Sequence, residues 1–203
     1  ENRLNMTRLA LFFSHYVNGV AKKHGEVSRI MFPGYSIDSI TNGVHSTTWV
    51  SDSFKDLFDK HIPGWRSDPY NFRSVFSIDK QEIWDAHLNE KKELINFVNN
   101  SYNAGMNYND FTIGFARRQT AYKRPDLLIE DQKRLEEISE KAGPIQIIYA
   151  GKAHPKDMSG KESIKKIYQI MKSINGKVNI CFIQNYDISI GKMMTAGVDL
   201  WLN

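Results

Sequence analysis

Four basic residues, Arg117, Arg118, Lys123 and Arg124, crowd into the eight positions after the apolar run 111–116. A second apolar run, 145–150, ends at Gly151-Lys152-Ala153-His154-Pro155. The two endings are separated by about one β-α-β unit. In an open parallel sheet the carboxyl ends of neighbouring strands line one crevice, and ligands bind there. Both endings are therefore expected to aim cations at a single place. Cations at the start of a helix oppose its dipole unless an anion is bound. The chemistry these residues suit is the holding of an anion, most simply phosphate. Arg118 brings a planar fork that grips two oxygens at once, and Lys123 a compact, mobile charge. The competing reading is a solvated basic loop, and the sequence does not say which of the four cations point inward. Lys152 is equally well read as an ordinary turn lysine.

Other candidates are weaker. Asn185-Tyr186-Asp187 follows a third apolar run, and Tyr186 suits stacking on a planar ligand as well as packing in a core. Asp187 also suits capping the next helix. His15, Asn18 and Lys22 fall on one face of an expected helix, a polar line suited to a cleft or to solvent. Asn42-Gly43 and His45 form a loop candidate, and His154 reads as a structural or surface histidine. His24 and His61 lack neighbours at metal-ligand spacing, so no metal is expected. The glycine-rich signatures of dinucleotide and P-loop sites are absent.

The clearest positioning elements lie in the last section. Apolar runs at 111–116, 144–150, 178–184 and 198–202 read as strands. They alternate with helical patterns at 126–141, 159–174 and 188–195, with a turn at Asn175-Gly176. Strands with few polar residues between helices predict a parallel sheet covered on both faces, half of a doubly wound domain. From Trp49 to Met106 no β-like alternation occurs. Pro63-Gly64 and Asp68-Pro69 separate short helical pieces, and a longer helix is expected over 79–100. The first section predicts one helix over 5–29, interrupted in composition by Gly19, which points to close packing or a nearby ligand. A stop at Met31-Phe-Pro-Gly34 follows, then a short strand over 39–45 and a helix start at Ser46 or Thr47.

At 203 residues with 41% hydrophobic and 12% aromatic content, the chain has enough apolar mass for a core. A net charge of +4 suits anionic ligands but falls short of a nucleic-acid-binding surface. The single Cys181 sits in an apolar run and reads as a buried hydrophobe, not part of a disulfide scaffold. No run of about 20 apolar residues suggests a membrane span, and no signal-peptide layout opens the chain. Cytoplasm is the default expectation. Both ends look cut, and the chain is expected to be an internal fragment of a longer enzyme.

Six segments together carry a family likeness: His15-Tyr-Val-Asn18-Gly-Val-Ala21, Ile40-Thr-Asn-Gly-Val-His45, Thr112-Ile-Gly-Phe-Ala-Arg-Arg-Gln-Thr-Ala-Tyr-Lys-Arg124, Ala150-Gly-Lys-Ala-His-Pro155, Asn185-Tyr-Asp187 and Ala196-Gly-Val-Asp-Leu-Trp-Leu-Asn203. The chain resembles the α-glucan phosphorylases over essentially its whole length, most closely their shorter bacterial and archaeal branch. The resemblance implies a GT-B arrangement of two Rossmann-like domains across a cleft. On that view residues 1–45 are the end of the N-terminal domain and the domain junction. Residues 46–108 would be a helical connecting and bracing segment, and 109–203 the first half of the C-terminal domain. It implies reversible transfer of a terminal glucosyl unit from an α-1,4-glucan to inorganic phosphate, giving α-glucose 1-phosphate with retention.

It also implies pyridoxal 5'-phosphate, whose phosphate handles protons beside the substrate phosphate. Arg118 and Lys123 match the pair that holds substrate and cofactor phosphates, and Tyr186 a cofactor-facing position. Asn42 matches a residue bonding the glucosyl group, Asn18 lies in a motif lining the cleft, and His45 belongs to the substrate-side loop. The Schiff-base lysine is expected beyond Asn203, so that this segment alone would be inactive; Lys192 is not that lysine. A homo-oligomer is expected for the full-length enzyme, with no nucleic-acid or membrane partner. Asp187 stands where larger animal and plant members have Arg, which points to the short branch. Two other readings are a nucleotide-sugar-dependent GT-B glucosyltransferase and a non-catalytic carbohydrate- or phosphate-binding module.

Overall fold

A strand covered on both faces needs apolar side chains at nearly every position, and three segments of this chain meet that condition. In the computed structural model, which describes residues 3–174 and 178–202, they form three adjacent strands of a four-stranded parallel sheet. The strands are β3 (Phe111–Ala116), β4 (Ile145–Ala150), β5 (Asn179–Ile183) and β6 (Leu200–Trp201), in the order β5-β4-β3-β6. Four elements precede them in the first part of the chain: α1 (Met6–Phe13), β1 (Asn18–Gly19), α2 (Lys22–Met31) and β2 (Asp38–Ser39). Then come α3 (Ser46–Trp49), α4 (Asp52–His61), a 3-10 segment (Pro69–Ser77) and α5 (Lys80–Tyr102). The crossovers of the sheet are α6 (Gln132–Ala142), α7 (Met158–Ser173) and α8 (Ile188–Gly197).

Alternation along the strands divides the core in two. Ile113, Phe115, Ile147, Tyr149, Ile180 and Phe182 face one way and pack with Leu135 of α6 and Ile167 and Ile170 of α7. Ala116, Ile148, Ala150, Cys181 and Ile183 face the other way, against Leu94, Ile95 and Val98 of α5 and Met194 of α8. Cys181 is buried, and burial pushes its thiol up to about 11, so it stays protonated and inert at neutral pH. The chain runs from β3 outward through β4 to β5, then returns to place β6 on the other side of β3. The direction of winding therefore reverses between β3 and β6.

Helix limits follow local chemistry. Asp131, Asp157 and Asp187 each accept a backbone N–H of the first turn of α6, α7 and α8. Asn103 ends α5 in the left-handed region at φ 50°. The expected helix over 79–100 is α5, and the four expected strands coincide with β3 to β6 within a few residues. The turn expected at Asn175-Gly176 lies outside the described residues.

The chain divides into two compact units, Glu1–His45 and Ser46–Asn203. In the first, the single helix expected over 5–29 is corrected: α1 stops at Phe13, β1 intervenes, and α2 starts at Lys22. The reason is the parallel pairing of Asn18 with Asp38 and Gly19 with Ser39, which holds these residues extended. Gly19 is there for close packing, since a Cβ on it would come within 2.6 Å of the Gly25 backbone nitrogen. The strand expected over 39–45 is reduced to Asp38–Ser39. Among the described residues no helix is long and apolar enough to cross a membrane.

Candidate functional site

The point where winding reverses lies at the carboxyl ends of β3 and β6, the place where open parallel sheets bind ligands. A cavity of about 450 Å³ occupies it. Its wall carries Arg117, Lys123 and Arg124 with the Tyr122 ring, over an apolar side of Phe115, Leu127, Leu128 and Leu202. Three cations on one wall make a site for an anion, and the apolar side accommodates an organic body attached to it. The Lys123 ammonium lies 4.8 Å from the centre of the Tyr122 ring, a cation–π contact that keeps the side chain on this wall.

The basic turn is held by its surroundings. Arg124 adopts φ 49°, in the left-handed region, and its backbone N–H closes on the Ala121 carbonyl at 3.0 Å. Two residues on, the Asp126 carboxylate accepts from Lys166 of α7 at 2.6 Å, and that hydrogen bond holds the carboxyl below the usual range. At the other end of the turn Gln119 is fully buried. Its backbone N–H donates to the Lys152 carbonyl at 3.0 Å, and its side-chain amide to the Ala150 carbonyl at 3.1 Å.

Lys123 is thus brought together with Arg117 and Arg124. Arg118 is exposed and does not line the cavity. Tyr186 is half-buried against the α5–α8 side of the sheet, and its hydroxyl lies over Gly191, where a Cβ would meet it at 2.7 Å. It too is absent from the cavity wall. Burial, then the adjacent Asp187 carboxylate, raises its pKa. The expectation that both basic endings aim at one crevice is corrected. Lys152 lines a separate cavity of about 340 Å³ with Lys161, Tyr168 and Asn185, at the ends of β4 and β5. Physically, the reversal lies on the β6 side of β3, while β4 lies on the other side. The Nδ1 of His154 accepts the Lys156 N–H at 3.2 Å, a local turn contact.

In the first unit, Asn18 lies on β1, not on a helical face, and its side chain donates to the Gly19 carbonyl. Asn42 extends the same ladder, its backbone N–H donating to the Val20 carbonyl at 3.1 Å. Asn18, Asn42 and His45 are all exposed, and His15 lies beyond the end of α1. No local pattern marks the apolar wall, which brings Leu202 from far along the chain to Leu127 and Leu128. Gln119 was equally hidden, one polar residue inside a basic run.

A larger cavity, about 690 Å³, opens at the amino-terminal ends of β3 and β6, beside α5. Its charged groups satisfy one another. Asp199 accepts from Lys91 at 2.6 Å, the Thr112 N–H at 2.7 Å and His87 at 2.8 Å, and Lys91 also donates to the Asp110 carbonyl at 2.8 Å. This cluster fastens β6 to β3 and α5. The basic cavity, with cations aimed at the reversal point, has the better chemistry despite its smaller volume.

A basic turn at the switch point of a parallel sheet flanked by helices marks an α/β protein with a place suited to an anion. Residues 1–201 match the family model of the carbohydrate phosphorylases, and the chain belongs to that family. It is 34% identical over 228 residues to the maltodextrin phosphorylase of Thermococcus litoralis, covering 100% of this chain and 27% of that protein. It is 33% identical over 227 residues to the glycogen phosphorylase of Aquifex aeolicus, covering 98% of this chain and 33% of that protein. A glycogen phosphorylase of Mycobacterium tuberculosis is 31% identical, with 99% of this chain and 26% of that protein covered. The chain thus spans 27% and 33% of the length of the first two relatives.

Proposed function

We propose that this chain supplies the phosphate-holding part of an α-1,4-glucan phosphorylase. The reaction is reversible transfer of a terminal glucosyl unit from glucan or maltodextrin to inorganic phosphate, giving α-glucose 1-phosphate with retention. The observation that carries the reading is the cluster of Arg117, Lys123 and Arg124 around a cavity at the switch point, in a chain of this family. Phosphorolysis brings a phosphate nucleophile against a sugar that develops cationic character. Fixed cations orient that phosphate and offset repulsion from any second phosphate nearby.

The cavity also suits a phosphate ester of an aromatic ring, with cations for the phosphate and Phe115, Leu127, Leu128 and Leu202 for the ring. That is the make-up of pyridoxal 5'-phosphate, which, when bound, contributes a phosphate that handles protons beside the substrate. Lys123 and Arg117, on the cavity wall, would hold the cofactor and substrate phosphates side by side, and the exposed Arg118 would reach for the substrate phosphate. Tyr186 is assigned the cofactor side, and Asn18, Asn42 and His45 the glucan side. The finer fold assignment is GT-B: residues 109–203 open its C-terminal Rossmann-like domain, 46–108 brace it, and 1–45 end the N-terminal one. The full-length enzyme is proposed to be a cytoplasmic homo-oligomer.

The test is phosphate-dependent release of glucose 1-phosphate from maltodextrin by the full-length protein, with and without pyridoxal phosphate. Replacing Arg118 or Lys123 by Ala removes a charge-assisted donor to the transferring phosphate. That is expected to cost about 3 kcal/mol, a rate loss of about a hundredfold. No release from a folded, cofactor-loaded wild type would sink the reading and turn attention to nucleotide-sugar donors.

A further inference from the structure

Gln119 is fully buried, and it sits in the middle of the basic turn, between Arg118 and Thr120. Two structural elements converge on it, the end of β4 and the start of α7. Its backbone N–H donates to the Lys152 carbonyl at 3.0 Å, and its Nε2 donates to the Ala150 carbonyl at 3.1 Å, so both ends of the residue grip the exit of β4. Its carbonyl lies against the first turn of α7, where a Cβ on Gly160 would come within 2.1 Å. On the β4 side, a Cβ on Gly151 would come within 2.0 Å of the Arg117 carbonyl and 2.8 Å of Gln119 Nε2. The glycines at 151 and 160 make room for this junction.

Packing alone does not account for a glutamine here. Gln119 Oε1 is buried with no hydrogen-bond partner, and an apolar side chain of equal volume would fill the space without that unmet acceptor. What the amide adds is direction: Nε2 donates to the Ala150 carbonyl at 3.1 Å and, more weakly, to the Arg117 carbonyl at 3.4 Å, tying the turn to the end of β4 and fixing its rotation. Arg117 lies two residues before Gln119, and Lys123 four after, both on the cavity wall. A shift of the turn would move both cations together.

We propose that Gln119 is a positioning residue for phosphate, its carboxamide clasping the basic turn to the end of β4 so that Arg117 and Lys123 keep fixed places at the cavity. The inference rests on the phosphorolysis reading for its kinetic test, but not for its binding test.

Gln119→Met keeps the volume, removes the donor and also removes the unmet acceptor. In the full-length protein its Tm is expected to change by less than about 5 °C. The KM for phosphate is expected to rise between about ten- and a hundredfold, the range typical of a ligand released from its supporting contact, while the KM for maltodextrin stays the same. Separately, the rise in Tm produced by inorganic phosphate in the wild type should shrink in the variant. Gln119→Leu, which likewise has no donor for the Ala150 carbonyl and no unmet acceptor, is expected to act in the same direction and serves if the Met variant does not fold.

An unchanged phosphate KM, or phosphate and maltodextrin KM values rising equally, would overturn the clasp. A wild type that releases no glucose 1-phosphate, yet loses its phosphate-induced Tm rise on Gln119→Met, would keep the clasp and sink phosphorolysis. A wild type that phosphate does not stabilise at all would overturn the clasp as well.

Discussion

At the scale of single residues, the basic turn works through side chains the sequence displays and backbone constraints it hides. Lys123, Arg117 and Arg124 supply charge, but their places depend on Gly151. That residue adopts φ +140°, where L side chains are strained, and it lies against the Arg117 carbonyl. Gly151→Ala is therefore expected to destabilise the protein by about 3 kcal/mol, from strain and overlap together, and to displace the turn. Urea unfolding measures the first effect. The second is read as weaker stabilisation by inorganic phosphate than in wild type. A variant with wild-type stability and phosphate response would show that the close approach at Gly151 does not set the turn.

At the scale of elements, the cavity exists because β6 lies beside β3, and a buried ion pair holds it there. The Lys91 and Asp199 side chains are 5% and 9% exposed and meet at 2.6 Å, with His87 and the Thr112 N–H completing the carboxylate's partners. Removing one partner leaves the other charge buried and unpaired. Lys91→Met is expected to cost about 3–5 kcal/mol in equilibrium unfolding. Replacing Lys91 and Asp199 together by Met and Leu should cost less than the single change, and a double-variant cycle reads the difference. A double-variant loss equal to the sum of the Lys91→Met and Asp199→Leu losses would show that the pair contributes no mutual stabilisation. Leu202, which lines the basic cavity, follows β6 directly, so loosening this fastening also loosens one wall of that cavity.

At the scale of the molecule, the same carboxylates set the response to pH. Burial works to raise the pKa of Asp199. The hydrogen bonds from Lys91, His87 and Thr112 outweigh it and hold the carboxyl below its ordinary value. The bond from Lys166 does the same for Asp126. A depressed carboxyl contributes stability that is complete above its unfolded pKa, about 4, and drains away as pH falls through its folded value. Denaturant unfolding is therefore expected to show stability falling below about pH 4, with a shallower fall in Asp126→Asn, which has no carboxyl to protonate. An unchanged acid limb in that variant would remove Asp126 from the account.

The sequence by itself determined the sheet section and its family. Runs such as Ile145–Ala150 are apolar at every position but Gln146, and a strand covered on both faces suits them at that length. The cations after β3 were equally legible, because charge directly after a buried strand is a local pattern. The first section was misread as one helix because its helical spacing was real, while pairing of Asn18–Gly19 with Asp38–Ser39 is non-local and overrode it. Only the tertiary structure decided which cations share a cavity. Strand order put the reversal between β3 and β6, so Leu202 joined Lys123 and Lys152 was left at a separate cavity. The physical reason is that strand character is fixed by neighbours along the chain, whereas strand order and side-chain convergence are fixed by contacts between residues far apart in it.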